Sequence, residues 1–164
     1  MKTEIALNTY TNVSLDKSLK ILQECSKNSF EKATPIPSVV NHSIEFYNHE
    51  QAKIFNKEWI CIGRCDEIPS TGDFLTHEIA GTPILAVRQE SGEIMGFVNA
   101  CAHRFTCIVN KKSGNAFAFT CPNHAWTYGI DGKLNHAPFM DLKTDFNSKK
   151  NNLESLHTES WEGF

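Results

Sequence analysis

The spacing of hydrophobic side chains changes along this 164-residue chain, from a helical period near the N-terminus to a strand period further on. Leu15, Leu19 and Leu22 recur at intervals that place them on one face of a helix. Ser14 is a residue type that caps helix N-termini, and the helical pattern ends near Lys27. The pattern therefore predicts an N-terminal helix with one leucine face.

A second helix is predicted after an irregular connection. Residues 28–41 contain two prolines and read as that connection. Asn48 and Gln51 have the spacing of a capping box, so the helix is expected to begin at Asn48. The apolar side chains along one side of this helix are Ala52, Phe55 and Trp59. Residues 1–58 are therefore expected to form an N-terminal helical extension.

Short β-rich runs separated by turn residues follow from residue 59 onward. The predicted strands are 59–63, 74–79, 83–88, 94–98, 117–120 and 126–130. Ser91-Gly92 and Asp131-Gly132 are turn signals, and an aspartate-glycine pair is among the strongest hairpin signals. The pattern indicates a mainly β fold, a small antiparallel domain over residues 59–164 preceded by N-terminal helices.

Composition narrows the function classes. With 40% hydrophobic residues, the chain is long enough for one domain with a real core. Its formal net charge of -3 and its scattered Lys and Arg residues give no basic field for nucleic acid or for an anionic membrane. No apolar run reaches the roughly 18 residues of a membrane span, and the N-terminus has no signal-peptide apolar segment. A cytoplasmic location is therefore expected.

Two cysteine-histidine pairs carry the candidate chemistry. Cys101 and His103 are two residues apart, Cys121 and His124 are three apart, and seventeen residues separate the pairs. Each pair falls on a predicted loop. A structural zinc finger usually takes both cysteines from one half of the site and both histidines from the other. Here each loop supplies one of each, a division that suits a binuclear centre with two thiolates on one iron and two imidazoles on the other.

Residues 101–134 resemble the Rieske signature, and "CPNHAWTYGIDGKL" is similar to the run found in ring-hydroxylating oxygenase α subunits. The resemblance implies a Rieske-type antiparallel β-sandwich with two cluster-binding loops. It also implies a Rieske-type 2Fe-2S cluster. The implied cluster and metal ligands are Cys101, His103, Cys121 and His124. Phe105 and Ala125 depart from the family pattern, which commonly has glycine at these positions.

Cys107 and Asn123 distinguish between branches of the resemblance. High-potential Rieske proteins carry an extra cysteine in each loop, joined as a disulfide. Asn123 stands where the second would be, and Cys107 lies one residue after the position of the first. No such disulfide is expected, and Cys107 is interpreted as a buried thiol. The resemblance then implies a reduction potential toward the low end of the Rieske range of roughly -150 to +300 mV.

Several other residues have ordinary structural interpretations. Trp126 and Tyr128 are expected to pack beneath the cluster. Cys61 and Cys65 are expected to face a core from one strand, and Cys25 is interpreted in the same way. The histidines interpreted as surface residues are His42, His49, His77, His136 and His157. Arg104 has two equally good interpretations: a plain surface arginine, or a residue that pairs with an acidic group of a partner.

The resemblance also identifies what this sequence does not contain. Ring-hydroxylating oxygenases bind a mononuclear Fe(II) in a second domain, through two histidines and a carboxylate. The usual motif spaces the two histidines five residues apart, and no pair in this sequence has that spacing. The terminal "LHTESWEGF" is similar to the strand that leads into that catalytic domain. We therefore expect a truncated α subunit whose catalytic domain is absent, with no catalytic residue in this chain.

The leading functional hypothesis is electron transfer. The resemblance implies a ferredoxin or a flavin-dependent reductase as electron donor and the mononuclear iron of an oxygenase catalytic domain as acceptor. It is also compatible with a homo-oligomer, while nucleic acid and membranes are not expected partners. One alternative is a freestanding Rieske ferredoxin. Another, from a different class, is a structural zinc-binding interaction module.

Overall fold

The computed structural model describes residues 13–164, apart from the side chain of residue 141. The chain divides into two compact units, one extending to Ile60 and the other spanning Cys61–Phe164. The part of the predicted N-terminal extension that precedes residue 13 lies outside the described residues. Within the described residues, no helix combines the length and the apolar character that crossing a membrane requires.

The first unit is helical. Its helices are α1 (Leu15–Ser26), α2 (Ser38–Asn41) and α3 (Ile44–Glu50), with a 3-10 turn at Phe30–Lys32 and a π-helical turn at Gln51–Phe55. The prediction for α1 is confirmed, because the Ser14 hydroxyl accepts a hydrogen bond from the Lys17 N–H at 3.4 Å. The two short helical segments interrupt the connection that was predicted to be irregular.

The predicted start of the second helix at Asn48 is wrong. The helix begins at Ile44, and Ser43 is its N-cap. The buried Ser43 hydroxyl accepts from the Phe46 N–H at 3.2 Å and donates to the Val13 carbonyl at 2.6 Å. This contact with a residue thirty positions away stabilises the cap, and the local spacing of Asn48 and Gln51 carries no information about it.

The second unit contains two antiparallel sheets, which confirms the predicted mainly β class. The larger sheet has the order β4-β1-β2-β3-β8 and the smaller has the order β5-β6-β7. The strands of the larger sheet are β1 (Asp73–Ile79), β2 (Thr82–Arg88), β3 (Ile94–Val98), β4 (Ser113–Asn115) and β8 (Ser155–Leu156). Those of the smaller sheet are β5 (Ala118–Thr120), β6 (Thr127–Gly129) and β7 (Leu134–His136). Further 3-10 turns lie at Cys65–Glu67, Met140–Leu142 and Ser148–Asn151.

The predicted strand at 59–63 is not present, and the prediction for its cysteines is wrong. Trp59 is 70% exposed, and the Cys61 side chain is exposed as well. Cys65 lies in a 3-10 turn and is partly buried. The larger sheet begins only at Asp73, so the segment before it is not part of a strand. Its cysteines therefore do not share the face of a strand. The other five predicted strands are confirmed, with ends displaced by at most one residue.

The two predicted turns are confirmed. Gly92, between β2 and β3, has φ +87°, and Gly132, between β6 and β7, has φ +75°. The Lys133 N–H donates to the Asp131 carboxylate at 3.1 Å, which closes the second turn. Glycine is needed here because other residues rarely adopt these angles.

One hydrophobic core draws on both sheets. Its fully buried members include Leu85 and Val87 from β2, Phe97 from β3 and Tyr128 from β6. The other buried residues of the core are Phe74, Cys101, Ile108, Phe119, Cys121, Trp126, Leu134 and Leu153. Two cysteines of the sequence motif therefore lie in the same core as the sheet side chains.

Candidate metal centre

Two loops of matching geometry carry the cysteine-histidine pairs. The first loop, residues 101–107, follows β3, and the second loop, residues 121–126, joins β5 to β6. The Cys101 N–H donates to the Thr106 carbonyl at 2.9 Å, and the Cys121 N–H donates to the Trp126 carbonyl at 2.8 Å. Both bonds span five residues, so each loop closes on its own cysteine in the same way.

The two residues that depart from the family glycine pattern adopt the conformation that glycine favours. Phe105 has φ +55° and Ala125 has φ +56°, both in the left-handed region. Their N–H groups donate to the carbonyls of Cys101 at 2.8 Å and Cys121 at 3.1 Å. These hydrogen bonds tie each left-handed residue to the cysteine of its own loop. The departures in sequence therefore leave the loop backbone in a glycine-like form.

The two thiols lie at the buried end of the site. The side chains of Cys101 and Cys121 are only 1% and 3% exposed. The Tyr128 hydroxyl lies 3.3 Å from the Cys101 sulfur and accepts a hydrogen bond from the Ala102 N–H at 3.1 Å. Burial, followed by the hydrogen bond with Cys101, raises the pKa of Tyr128 far above its ordinary value. The phenol therefore keeps its proton, which is free to point toward the sulfur.

The two imidazoles lie at the outer end of the site. The ring centroids of His103 and His124 are 4.7 Å apart, with planes inclined at 71°. His103 is partly buried and stacks on the buried Trp126 ring at 4.9 Å and 14°, whereas His124 is exposed. Burial, and then the neighbouring His124 and Arg104, lower the pKa of His103. A lowered pKa favours the neutral imidazole, the form that binds metals.

The structure thus places Cys101 and Cys121 in one buried core and brings the rings of His103 and His124 into contact. Within residues 13–164, no three or more His, Cys, Asp or Glu side chains gather as the donors of a single metal ion. A binuclear cluster of the Rieske type takes only two protein donors on each iron. Two buried sulfurs and two adjacent imidazoles therefore fit the chemistry of that group.

The remaining cysteines and histidines are not part of this set of four. None of the six cysteines, all of which lie among the described residues, is in a disulfide. Cys107 is partly rather than fully buried, and its sulfur lies 3.5 Å from the Val109 carbonyl. Cys25 is partly buried in α1. Of the histidines expected at the surface, His49 is partly buried. The other four are exposed: His42, His77, His136 and His157.

Two polar residues near the first loop escaped the sequence analysis. The buried Asn99 side chain donates to the Val109 carbonyl at 2.7 Å and accepts from the Val109 N–H at 3.0 Å, so it anchors the segment that leaves the loop. Thr106 accepts a hydrogen bond from Asn123 at 2.8 Å. For the anchoring role of Asn99, the one available signal in the sequence was an asparagine at the end of an apolar strand.

Comparison with known proteins decides the family. A family model described as "Rieske [2Fe-2S] domain" matches residues 58–147, more than half of the chain. The chain belongs to the Rieske [2Fe-2S] domain family. Its cofactor is accordingly a Rieske-type 2Fe-2S cluster, and its role is electron transfer through that cluster.

Relatives of this Rieske domain are oxygenase subunits. The carnitine monooxygenase oxygenase subunit of Escherichia coli (strain K12) is 31% identical over 134 residues, 82% of this chain and 36% of the relative. Naphthalene 1,2-dioxygenase from Rhodococcus sp., solved with indole bound, matches with a TM-score of 0.79 at 26% identity, over 92% of this chain and 34% of that one.

A third relative is a quaternary ammonium Rieske monooxygenase whose structure was reported to give insights into inter-subunit electron transfer. It matches with a TM-score of 0.69 at 32% identity, over 73% of this chain and 33% of that one. The chain therefore spans about a third of the length of these three relatives. All three matches confirm the recognition of an oxygenase-type Rieske domain, and the two solved structures confirm the expected fold.

Proposed function

We propose that Cys101 and Cys121 bind one iron of the 2Fe-2S cluster and that His103 and His124 bind the other. One observation carries the proposal: two loops of matching geometry each contribute one buried thiol and one outer imidazole, and the two imidazole rings are 4.7 Å apart. This is the division of ligands that a Rieske cluster requires.

The surrounding residues prepare this site for electron exchange. When bound, the cluster accepts and releases one electron at a time. The hydrophobic core excludes water from both thiols, while the Tyr128 hydroxyl supplies a hydrogen-bond donor at the Cys101 sulfur. Trp126 supports the His103 ring from below. His124 is exposed, so a redox partner can approach the site from the imidazole side.

We further propose the direction of transfer. A ferredoxin or a flavin-dependent reductase would supply the electron, and the mononuclear iron of a ring-hydroxylating-type oxygenase would receive it. The relatives support this reading because they are oxygenase subunits, and one of them is associated with inter-subunit electron transfer. In this proposal residues 59–164 are the electron-transfer domain and residues 1–58 are an extension to it.

Metal analysis tests the proposed ligand set. The chain is purified anaerobically, its iron and acid-labile sulfide are assayed, and its EPR spectrum is recorded after dithionite reduction. We expect about two irons and two sulfides per chain. We also expect a rhombic signal with an average g below that of all-cysteine clusters. Zinc, or a folded chain without iron, would contradict the proposal and favour the zinc-module alternative.

Histidine variants assign the ligands within that test. His124→Ala is expected to abolish the rhombic signal and most of the bound iron, because one iron would keep a single protein donor. His136→Ala is the control, since it removes an exposed imidazole from β7, outside the site. Equal iron content in the two variants would remove His124 from the ligand set.

The direction of transfer needs a separate measurement. The cluster-loaded chain is mixed in turn with a flavin-dependent oxygenase reductase and with a reduced ferredoxin, and visible absorbance follows cluster reduction. Reduction on the time scale of enzyme turnover is expected. A chain that dithionite reduces but neither a reductase nor a ferredoxin can reduce would contradict the proposed donors while leaving the ligand set intact.

A further inference from the structure

A hydrogen bond joins the two loops at the outer end of the site. The Asn123 side-chain amide donates to the Thr106 hydroxyl at 2.8 Å, across a separation of seventeen residues in sequence. Thr106 belongs to the first loop and Asn123 to the second. Neither residue has an ionisable side chain, so the bond is independent of pH over the range in which proteins are stable.

The bond connects backbone positions on which the imidazoles depend. Thr106 closes the first loop, because its carbonyl accepts from the Cys101 N–H at 2.9 Å. Asn123 immediately precedes His124, whose exposed ring contacts His103. The ring of His103 is additionally supported by its stack on Trp126. Of the two imidazoles, His124 is the more exposed, so the placement of its backbone matters more for its position.

Each loop supplies one imidazole, so the distance between the loops sets the distance between the two imidazole rings. A metal held by His103 and His124 requires both nitrogens at bonding distance at once. Any movement of one loop relative to the other changes that distance. Buried packing holds the cysteine end of both loops, since Cys101 and Cys121 lie in the core. At the outer end, the stack of His103 on Trp126 and the Asn123 to Thr106 hydrogen bond link the two loops, and only the hydrogen bond holds the exposed segment next to His124.

We propose that Thr106 and Asn123 are positioning residues that hold the two loops together and thereby fix the spacing of His103 and His124. The inference rests on the proposed ligand set. The bond lies at an exposed rim, where a neutral hydrogen bond contributes little to overall stability because water competes for both groups. Its loss should therefore affect the metal site more than the fold.

Matched variants of the cluster-loaded chain, residues 1–164, separate these two effects. Thr106→Val removes the hydroxyl while keeping the shape of the side chain, Asn123→Ala removes the amide, and Thr106→Ser retains a hydroxyl. Thr76→Val is the control, because the Thr76 hydroxyl donates to the Lys111 carbonyl at 2.9 Å from β1, in an equally exposed bond. The measurements are the rate of iron release to a chelator, the EPR g values of the reduced cluster and the thermal unfolding midpoint.

Thr106→Val and Asn123→Ala are each expected to release iron about fivefold faster than the wild-type chain, the effect of losing one ordinary hydrogen bond. Their g values should shift, since the ligand geometry at the imidazoles changes. Thr106→Ser and Thr76→Val should match the wild type. The double variant should release iron no faster than either single variant, because both changes break the same bond.

The outcomes distinguish this inference from the proposed function. A wild-type chain that holds a Rieske cluster, with Thr106→Val releasing iron like Thr76→Val and with unchanged g values, would overturn the inference alone. A wild-type chain that holds no such cluster would overturn the proposed function and the inference with it. If Thr106→Val does not fold, Asn123→Ala at its exposed position decides the matter by the same two readouts.

Discussion

Phe105 and Ala125 adopt backbone angles that residues with a side chain beyond hydrogen rarely take. Their φ values of +55° and +56° place them in the left-handed region, where contact between Cβ and the carbonyl oxygen costs about 1 to 2 kcal/mol. Phe105 is also 82% exposed, so it gains little from burial in return. The two loops therefore hold conformational strain at equivalent positions.

Replacing Ala125 with glycine should release that strain. Ala125→Gly is expected to raise the free energy of unfolding by about 1 kcal/mol, since glycine adopts positive φ without a Cβ clash. The measurement is the denaturant midpoint of the cluster-loaded chain. Ala118→Gly is the matched control, because Ala118 lies in strand β5, and there glycine should destabilise the chain by about 0.5 to 1 kcal/mol. Equal signs for the two variants would refute the strain argument.

The protonation states of two residues, Tyr128 and His103, suit the two ends of the site. Burial raises the pKa of Tyr128, which favours the protonated phenol, whereas burial and then the neighbouring His124 and Arg104 lower the pKa of His103, which favours the neutral imidazole. Low polarity disfavours the charged form of each group. Burial of Tyr128 at the inner end therefore keeps a hydrogen-bond donor at the Cys101 sulfur, and the lowered pKa of His103 at the outer end favours the neutral imidazole, the form that binds metals.

At the scale of elements, the turn between β6 and β7 of the smaller sheet packs against the larger sheet. A Cβ at Gly132 would overlap the ring of Phe97 on β3. The Gly132 carbonyl accepts from the Leu153 N–H at 2.9 Å, and the Gln89 amide donates to the Ile130 carbonyl at 2.8 Å. These contacts place the smaller sheet, which carries the second loop, against the larger one.

Gly132→Ala is accordingly expected to destabilise the chain strongly. It combines an unfavourable positive φ with a clash against Phe97, and overpacking of this kind typically costs about 1 to 3 kcal/mol. Gly92→Ala isolates the first effect, because Gly92 has φ +87° and a Cβ added there would meet no atom within 4 Å. Thermal and denaturant unfolding of both variants give the comparison.

The difference between the two glycine variants is the informative quantity. A loss of stability for Gly132→Ala that exceeds the loss for Gly92→Ala by about 1 to 3 kcal/mol would locate the effect in the packing of Phe97. Equal losses would mean that the turn conformation alone matters and that the two sheets do not depend on close contact at this position.

For the molecule as a whole, the four candidate ligands and the core beneath them lie in the unit spanning Cys61–Phe164. We expect a fragment of residues 59–164 to fold and to take up the same cluster as the full chain, because it contains all four candidate ligands and the core beneath them. The measurements are iron and sulfide content, the EPR spectrum and the unfolding midpoint of the fragment. The full chain under the same conditions is the reference.

An unfolded fragment, or one whose EPR spectrum differs from that of the full chain, would contradict this domain proposal. The unfolding midpoint then indicates how far the helical unit contributes to stability. A fragment with the same spectrum and a lower midpoint would keep the cluster assignment and make the extension a stabilising element.

The sequence by itself determined what depends on local pattern. The spacing of Cys101, His103, Cys121 and His124 identified the family, since the ligand types and intervals are written in the chain. Strands β1, β2 and β3 followed from apolar runs between turn residues. The cap at Ser14 and the turn at Gly132 followed from residue types that suit those backbone angles.

Only the tertiary structure decided features that depend on residues far apart in sequence. Strands β4 and β8 are two or three residues long, and they exist because β1 and β3 offer them edges to pair with. Ser43 caps α3 while it is buried against the Val13 carbonyl. Asn123 was interpreted only as an absent cysteine, whereas folding brings it to the Thr106 hydroxyl. Hydrogen bonds of this kind leave no local periodicity, so their partners are known only once the chain has folded.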